Sequence, residues 1–291
     1  MIKFAQLVMT GATVGLIYGL MAVGFVLIYK SSKIFNFAQG EMVMVGAFLA
    51  WTFLGLLKMP LIIGLPLACV ITGAVGYSLE RFPFRPMIGQ PILATIMITL
   101  AIAVFLRGLA ILIWANYIGI SFPSLIPERT IDLFGVPTSN VAIWNFFLVL
   151  ILVVILGLFF HYTRIGLHMR AAAESHRLAQ SMGIRVTRAI AQSWAIAAVV
   201  ATIGGFLLGY MRGIDFGLAE TGLIAIAAAL VGGLESFRGA IGGGLIIGIA
   251  ETLTGGYIGH GLRDVIPYVV MVGVLFYRPY GLFGLEEIER V

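Results

Sequence analysis

A few charged residues interrupt otherwise apolar runs, and any chemistry in the chain would have to sit there. Glu41 opens one apolar stretch, Glu80 and Arg81 close another, Arg107 lies inside a third and Glu251 inside a fourth. An ionisable group in hydrocarbon is costly, so each of these membrane-embedded charges is a functional candidate. A proton relay would need partners at fixed spacing, and none can be read along the sequence. Glu80 and Arg81 read as a local ion pair at an interface. Arg107 precedes Trp114 by seven residues and reads as snorkelling outward. Glu251, in Gly248-Ile249-Ala250-Glu251-Thr252, is expected to face a cavity or the outer interface. Asp215 and Glu220 fall in a loop.

Other chemistries find no residues. His161, His168 and His176 share one polar stretch, but no cysteine or carboxylate cluster accompanies them, so no metal site is expected. Cys69 is the one cysteine, which excludes an intrachain disulfide and reads as a small packing residue. The chain has no G-x-x-x-x-G-K-[ST], H-E-x-x-H or G-x-S-x-G sequence. It also has no K⁺-filter sequence. No catalytic residue is assigned, and no cofactor is expected on this chain.

The elements that hold these residues follow from composition. The 291 residues are 60% hydrophobic and 11% charged, against about 25% charged in a soluble domain. Too few charges remain to cover a water-facing surface, so the chain reads as an all-α polytopic membrane protein. Its net charge of +5 comes from 18 scattered basic residues. They form no basic face, which argues against nucleic acid as a partner.

A spanning helix needs about 20 mostly apolar residues. Candidate spans are 5–29, 42–57, 60–79, 91–114, 141–160, 189–211, 219–234, 240–258 and 265–278, so about 8–10 transmembrane helices are expected. The apolar run after Lys3 is too long for a signal peptide and reads as an uncleaved first span. The last three spans are short or glycine-rich, and one of them is expected to be broken or re-entrant. Placing 161–188 in the cytoplasm puts Lys30, Lys33, Arg81, Arg85, five loop arginines, Arg238, Arg278 and Arg290 inside. Lys3, Lys58, Arg129, Arg212 and Arg263 then fall outside. This bias predicts an external N-terminus and a cytoplasmic C-terminus.

Two loops stand out. The segment 116–140, with Pro123, Pro127 and Pro137, reads either as an external lid or docking surface or as a plain connector. The segment 161–188 holds Arg164, Arg170, Arg177, Arg185 and Arg188 against a single acid, Glu174. Residues 167–182 lack Gly and Pro and precede Gly183, which predicts a helix at the membrane surface that ends there. Such a helix suits lipid headgroups or a cytoplasmic partner. Glycines four apart, as in Gly11, Gly15 and Gly19, or Gly244 and Gly248, predict closely packed helices.

Several motifs in order resemble one family. The stretch from Gly24 to Glu41, ending Asn36-Phe37-Ala38-Gln39-Gly40-Glu41, is similar to the N-F-A-[HQ]-G-E signature of LivH-type permeases of branched-chain amino acid ABC importers. Glu80-Arg81-Phe82-Pro83-Phe84-Arg85-Pro86 looks like the family's E-R-x-x-[FY]-R-P. The stretch from Tyr162 to Glu174, followed by Ala179 and Met182-Gly183-Ile184, resembles its coupling loop. Val231-Gly232-Gly233, Gly239 to Gly243 and Gly248 to Glu251 resemble its C-terminal half. Glu174 follows the alanines instead of preceding them, as the LivH pattern has it and the general importer pattern does not.

The resemblance implies one transmembrane permease domain over 1–291 with an ABC importer permease fold and a coupling loop at about 161–188. It implies a bacterial inner-membrane location. It implies a second related permease, two cytoplasmic ATPase subunits that carry the ATP and Mg, and a substrate-binding protein. Arg170, Ala172, Ala173, Glu174, Ala179 and Gly183 are then expected to couple to the ATPases. Asn36, Phe37, Gln39, Gly40 and Glu41 are expected to shape the inner gate, and Gly40→Leu would test that. The cargo is expected to be a branched-chain or other hydrophobic amino acid. Urea, short amides and aromatic acids are the alternatives within the class. A secondary transporter or channel is the alternative outside it, and a membrane-bound enzyme would need a catalytic cluster that is missing.

Overall fold

The computed structural model describes residues 1–87, 90–124, 127, 129–133 and 136–284. Arg290, one of the expected inside charges, lies outside the described residues. The described helices are α1 (Ile2–Ser32), α2 (Gln39–Trp51), α3 (Leu61–Leu79) and α4 (Ile92–Trp114), then α5 (Asn140–Tyr162), α6 (Arg164–Glu174), α7 (His176–Ser181) and α8 (Val186–Arg212). They end with α9 (Thr221–Gly232), α10 (Phe237–Tyr257), α11 (His260–Arg263) and α12 (Ile266–Tyr277). A two-stranded antiparallel pair, β1 (Thr130–Leu133) and β2 (Val136–Ser139), lies in the proline-rich segment between α4 and α5.

Among the described residues, six helices are long and apolar enough to cross a membrane. They are Ile2–Ser32, Gln39–Leu56, Leu61–Met87, Ile92–Tyr117, Asn140–Tyr162 and Val186–Arg212. A seventh span is available if the pair Phe216–Gly232 and Phe237–Tyr257, bent by 119°, counts as one. The expected spans 219–234 and 240–258 are thus the two arms of this bend, and the expected break in the glycine-rich third is there. The expected span 265–278 is the 12-residue α12, about 18 Å long and too short to cross alone.

The chain packs as two compact units, each discontinuous in sequence. The first comprises Met1–Val26, Glu128–Leu150 and Leu223–Val291; the second comprises Leu27–Pro127 and Ile151–Gly222. In the first unit, glycines let α1 and α10 touch backbone to backbone. A Cβ on Gly11 would lie 2.8 Å from Ile249 Cα, and one on Gly15 would lie 2.7 Å from the Gly244 carbonyl. Gly244 and Gly248 meet Gly19 and Gly15 from the other side. The four-residue spacing read from the sequence is therefore a helix-helix seam.

The second unit is built around α8. α3 packs along it through Gly73 and Gly76, and the Thr202 hydroxyl donates to Thr72 Oγ1 at 2.6 Å. α4 buries Thr95, Thr99, Ile102, Leu106, Ala110 and Trp114, one stripe at helical period. Its other faces expose apolar side chains such as Ile92, Val104 and Leu112, as a lipid-facing helix should.

Candidate functional site

The segment that joins α1 to α2 does not continue either helix. Lys33 takes a left-handed φ of 56° and ends α1. The chain then runs without helix to Gln39. An interrupted helix at membrane depth leaves backbone groups to satisfy, and the side chains here do so. Asn36 Oδ1 accepts from Ala38 N–H at 3.1 Å, and Asn36 Nδ2 donates to Gln39 Oε1 at 3.3 Å. Gln39 Nε2 donates to the Ala197 carbonyl of α8 at 3.1 Å. Asn36 and Gln39 are buried, and Phe37 is half-buried.

α8 shows how deep this break lies. Gln39 meets Ala197, Gly46 meets Thr202 and Val43 meets Gly205, all around the middle of a 27-residue helix. That helix is about 40 Å long, so α2 begins near its half-height. At the end of α8 that carries α6 and α7, α1 finishes against α7: His176 Nε2 lies 3.1 Å from the Ser31 carbonyl. Residues 33–38 therefore climb on the order of 15 Å along α8 before α2 starts.

Glu41 and Arg107 meet at this depth. Arg107 Nη2 lies 3.0 Å from Glu41 Oε1. The expected outward snorkelling of Arg107 is corrected: its charge turns to a partner on α2, because a nearby buried carboxylate stabilises it better than a longer reach through apolar surface. Glu41 Oε2 and Arg107 Nε have no hydrogen-bond partner among the described residues. Gly40 lies against the Ala219 carbonyl and Gly222 Cα, where no Cβ fits. Gly40→Leu would thus disrupt packing whatever the segment does, and it does not isolate a gating role.

Two other acids are also paired. Glu80 Oε2 binds Arg85 Nη2 at 3.1 Å, so the expected Glu80–Arg81 pair is corrected. A π-helical turn over Glu80–Phe84 places the arginine five residues on over the carboxylate. Glu251 Oε1 binds Arg263 Nη2 at 2.7 Å in the first unit. Burial works against the Arg263 charge, but the hydrogen bond and negative charge of Glu251 outweigh it and raise the guanidinium's basicity. Sequence reading missed all three partners because i,i+5 and longer pairings follow no helical template.

The polar loop forms two short helices instead of the single one expected over 167–182. Thr163 Oγ1 caps α6 by accepting from Gly166 N–H. Ser175 then breaks the run and caps α7 by accepting from Leu178 N–H, the local bond that makes serine favour caps over helix interiors. Gly183, at φ 80°, closes α7 with Gly183 N–H to Gln180 O and Ile184 N–H to Ala179 O, a Schellman arrangement. Gly166, Met169 and Ala172 form the buried face of α6, and Ala179 is the buried residue of α7. Arg170 is bound to His161, at 3.1 Å to Nδ1 and 3.0 Å to the carbonyl. Among the expected coupling residues, Glu174 and Gly183 are exposed, Ala173 is half-buried, and Ala172 and Ala179 are buried. Leu178, which sequence reading did not single out, and Met182, which entered there only as part of the coupling-loop motif, are 68% and 81% exposed and lie on the outer side of this element.

The chain is matched over residues 7–275 by a family described as the branched-chain amino acid transport system permease component. It is 32% identical to the high-affinity branched-chain amino acid transport system permease protein BraD of Pseudomonas aeruginosa, with 99% of this chain and 98% of that protein covered. It is 31% identical, at the same coverage, to the protein of the same description, LivH, of Escherichia coli K12. A solved chain of PsaBC from Streptococcus pneumoniae in complex with Fab shares the fold. Its TM-score is 0.51 at 14% identity, covering 96% of this chain and 93% of that one.

Proposed function

The chain belongs to the branched-chain amino acid transport permease family, and from that premise we propose that it is the membrane-spanning permease subunit of an ATP-driven importer of branched-chain or other hydrophobic amino acids. The partners in this reading are a second related permease, two cytoplasmic ATPase subunits and an external substrate-binding protein. ATP and Mg act on the ATPases, and this chain performs no hydrolysis. It sits in the bacterial inner membrane with α6 and α7 in the cytoplasm, the N-terminus outside and the C-terminus inside.

The observation that carries this reading is the contact between His176 and Ser31. α7 is an exposed helix with apolar side chains turned outward, suited to an ATPase groove that takes Leu178 and Met182. Through His176 it holds the last turn of α1, and the broken Asn36–Glu41 segment begins a few residues later. Motion of a docked α7 would therefore reach the break without passing through a flexible loop. Substrate and ion sites in transporters favour such interrupted helices near mid-depth. On this reading Asn36, Phe37, Gln39, Gly40 and Glu41 form the gate, and Glu174 and Gly183 flank the docking face with Arg170, Ala172, Ala173 and Ala179 supporting it.

The test is reconstitution. The complex isolated from native membrane should contain two ATPases and a second permease, and should take up leucine in proteoliposomes when ATP and the binding protein are supplied. Leu178→Asp with Met182→Asp should strip the ATPases from the complex while leaving this chain in the membrane. Recovery of this chain without an ATPase, with uptake driven by an ion gradient, would make it a secondary transporter. ATP-driven uptake of urea or short amides in place of leucine would change the cargo and keep the class.

A further inference from the structure

The Glu41–Arg107 pair is closed on one side only. The Glu41 side chain is 10% exposed, whereas that of Arg107 is 43% exposed. Arg107 lies about 22 Å along α4 from Ile92 and about 10 Å short of Trp114, well inside a hydrocarbon core about 30 Å thick. Charged groups at such depth face the bundle interior or a water-filled cavity, because hydrocarbon solvates them poorly. One carboxylate balances the guanidinium without covering it. The open side of Arg107 therefore marks a strip of α4 that does not face lipid.

Helical spacing extends the strip. Ile96, Ala103 and Arg107 are seven and four residues apart, so they share one line along the helix. At about 100° per residue they fall within about 40° of one another. All three are half-buried, on one flank of the buried stripe from Thr95 to Trp114. Phe105 and Leu112, on the other side of the helix, are apolar and 61% and 82% exposed. α4 thus has a lipid side and, opposite, a side that carries a charge.

The line ends at a cavity of about 410 Å³ in the same compact unit, beside α7. Thr95 and Ile96 of α4 form part of its wall. Lys33 comes from the broken segment, and His176, Gln180 and Thr187 come from α7 and the start of α8. A space this large, with this many polar side chains, holds water. From Ile96 to Arg107 is eleven residues, about 16 Å. One line of α4 therefore joins a polar cavity beside α7 to the ion pair at the break.

We propose that the Ile96–Ala103–Arg107 strip of α4 lines the water-filled translocation path between the break and the cytoplasmic side, with Arg107 as the cation on that path. The inference deepens the permease reading and rests on it. Ala103 is the small residue of the strip and leaves room beside the helix. Glu41 holds the guanidinium at the edge of the path and keeps it turned from the lipid side.

The experiment is cysteine accessibility on the complex in nanodiscs, where both faces are open to a charged, membrane-impermeant methanethiosulfonate. Cys69→Ser removes the one native cysteine of this chain, and labelling is read on this chain by mass spectrometry, without nucleotide and with ATP. Ala103→Cys should react at least ten-fold faster than Phe105→Cys and Leu112→Cys, because a thiol in hydrocarbon neither ionises nor meets the reagent. Arg107→Cys, made together with Glu41→Gln so that no carboxylate is left unpaired, should react as fast as Ala103→Cys. Labelled Ala103→Cys should lose uptake at least five-fold. Reaction of Ala103→Cys no faster than Leu112→Cys in either condition would overturn the proposal. So would cross-linking of an unlabelled Ala103→Cys to the second permease, which would make the strip a dry subunit contact. Full labelling that leaves uptake unchanged would also overturn it, by placing the water off the path. Leucine uptake by the unsubstituted complex, with ATP and binding protein, separates the two readings. Uptake without labelling removes only this path, and absence of uptake removes the function beneath it.

Discussion

The pair Glu41–Arg107 makes the sharpest demand on single side chains. A buried carboxylate and a guanidinium at 3.0 Å support each other, and removing one leaves the other uncompensated. Arg107→Leu should therefore destabilise the detergent-solubilised protein more than Arg107→Leu combined with Glu41→Gln. The double-mutant cycle should give a coupling energy of about 1–3 kcal/mol, read from thermal unfolding monitored by size-exclusion chromatography. Near-zero coupling would mean that the half-exposed Arg107 is held by other surroundings. Gln39 makes a different demand, because its amide joins Asn36 to the Ala197 carbonyl. Gln39→Leu keeps the volume but removes both bonds, at a cost of roughly 1–2 kcal/mol each. Uptake should fall several-fold while the complex stays assembled, measured by flux alongside subunit stoichiometry. These residues were legible in the sequence as an Asn-Phe-Ala-Gln-Gly-Glu string at a span boundary. Their partners were not, since Arg107 and Ala197 reach them only through tertiary packing.

At the scale of elements, the two glycine seams and the two surface helices behave differently. The α1–α10 seam is a backbone contact, so any side chain at Gly15 or Gly244 must push the helices apart. Gly244→Leu should lower the stability of the first unit by about 3 kcal/mol or more, seen as lost expression and a lower melting temperature. Normal melting of that variant would show that α10 can slide to make room. The four-residue glycine spacing made this seam legible in the sequence, because small residues at that interval let two membrane helices approach backbone to backbone. The surface helices were harder to read. An uninterrupted helix-favouring run hid the break at Ser175, where one hydroxyl caps α7. Since His176 follows at once, His176→Phe should keep α7 folded but release α1. ATP hydrolysis should continue while uptake drops several-fold, so the ratio of ATP consumed to leucine moved should rise. A proportional fall in both rates would place His176 in assembly instead.

At the scale of the whole chain, sequence reading found the membrane class, the family and the presence of a break in the C-terminal third, but not which segments flank it. Apolar length alone cannot distinguish a straight crossing from an arm of a bend, and the segments read as 219–234 and 240–258 lie in a helix pair, Phe216–Gly232 and Phe237–Tyr257, bent by 119°. Nor could it show that the two compact units alternate along the chain. The first unit needs Met1–Val26 together with Leu223–Val291, so the surface that α10 covers is made first and its cover nearly last. At about 5–20 residues per second, the glycine face of α1 leaves the ribosome about 11–47 seconds before α10. During that interval Gly11, Gly15 and Gly19 offer bare backbone to any passing helix. The insertion machinery, or a companion subunit already in the bilayer, must therefore shelter α1 until synthesis ends.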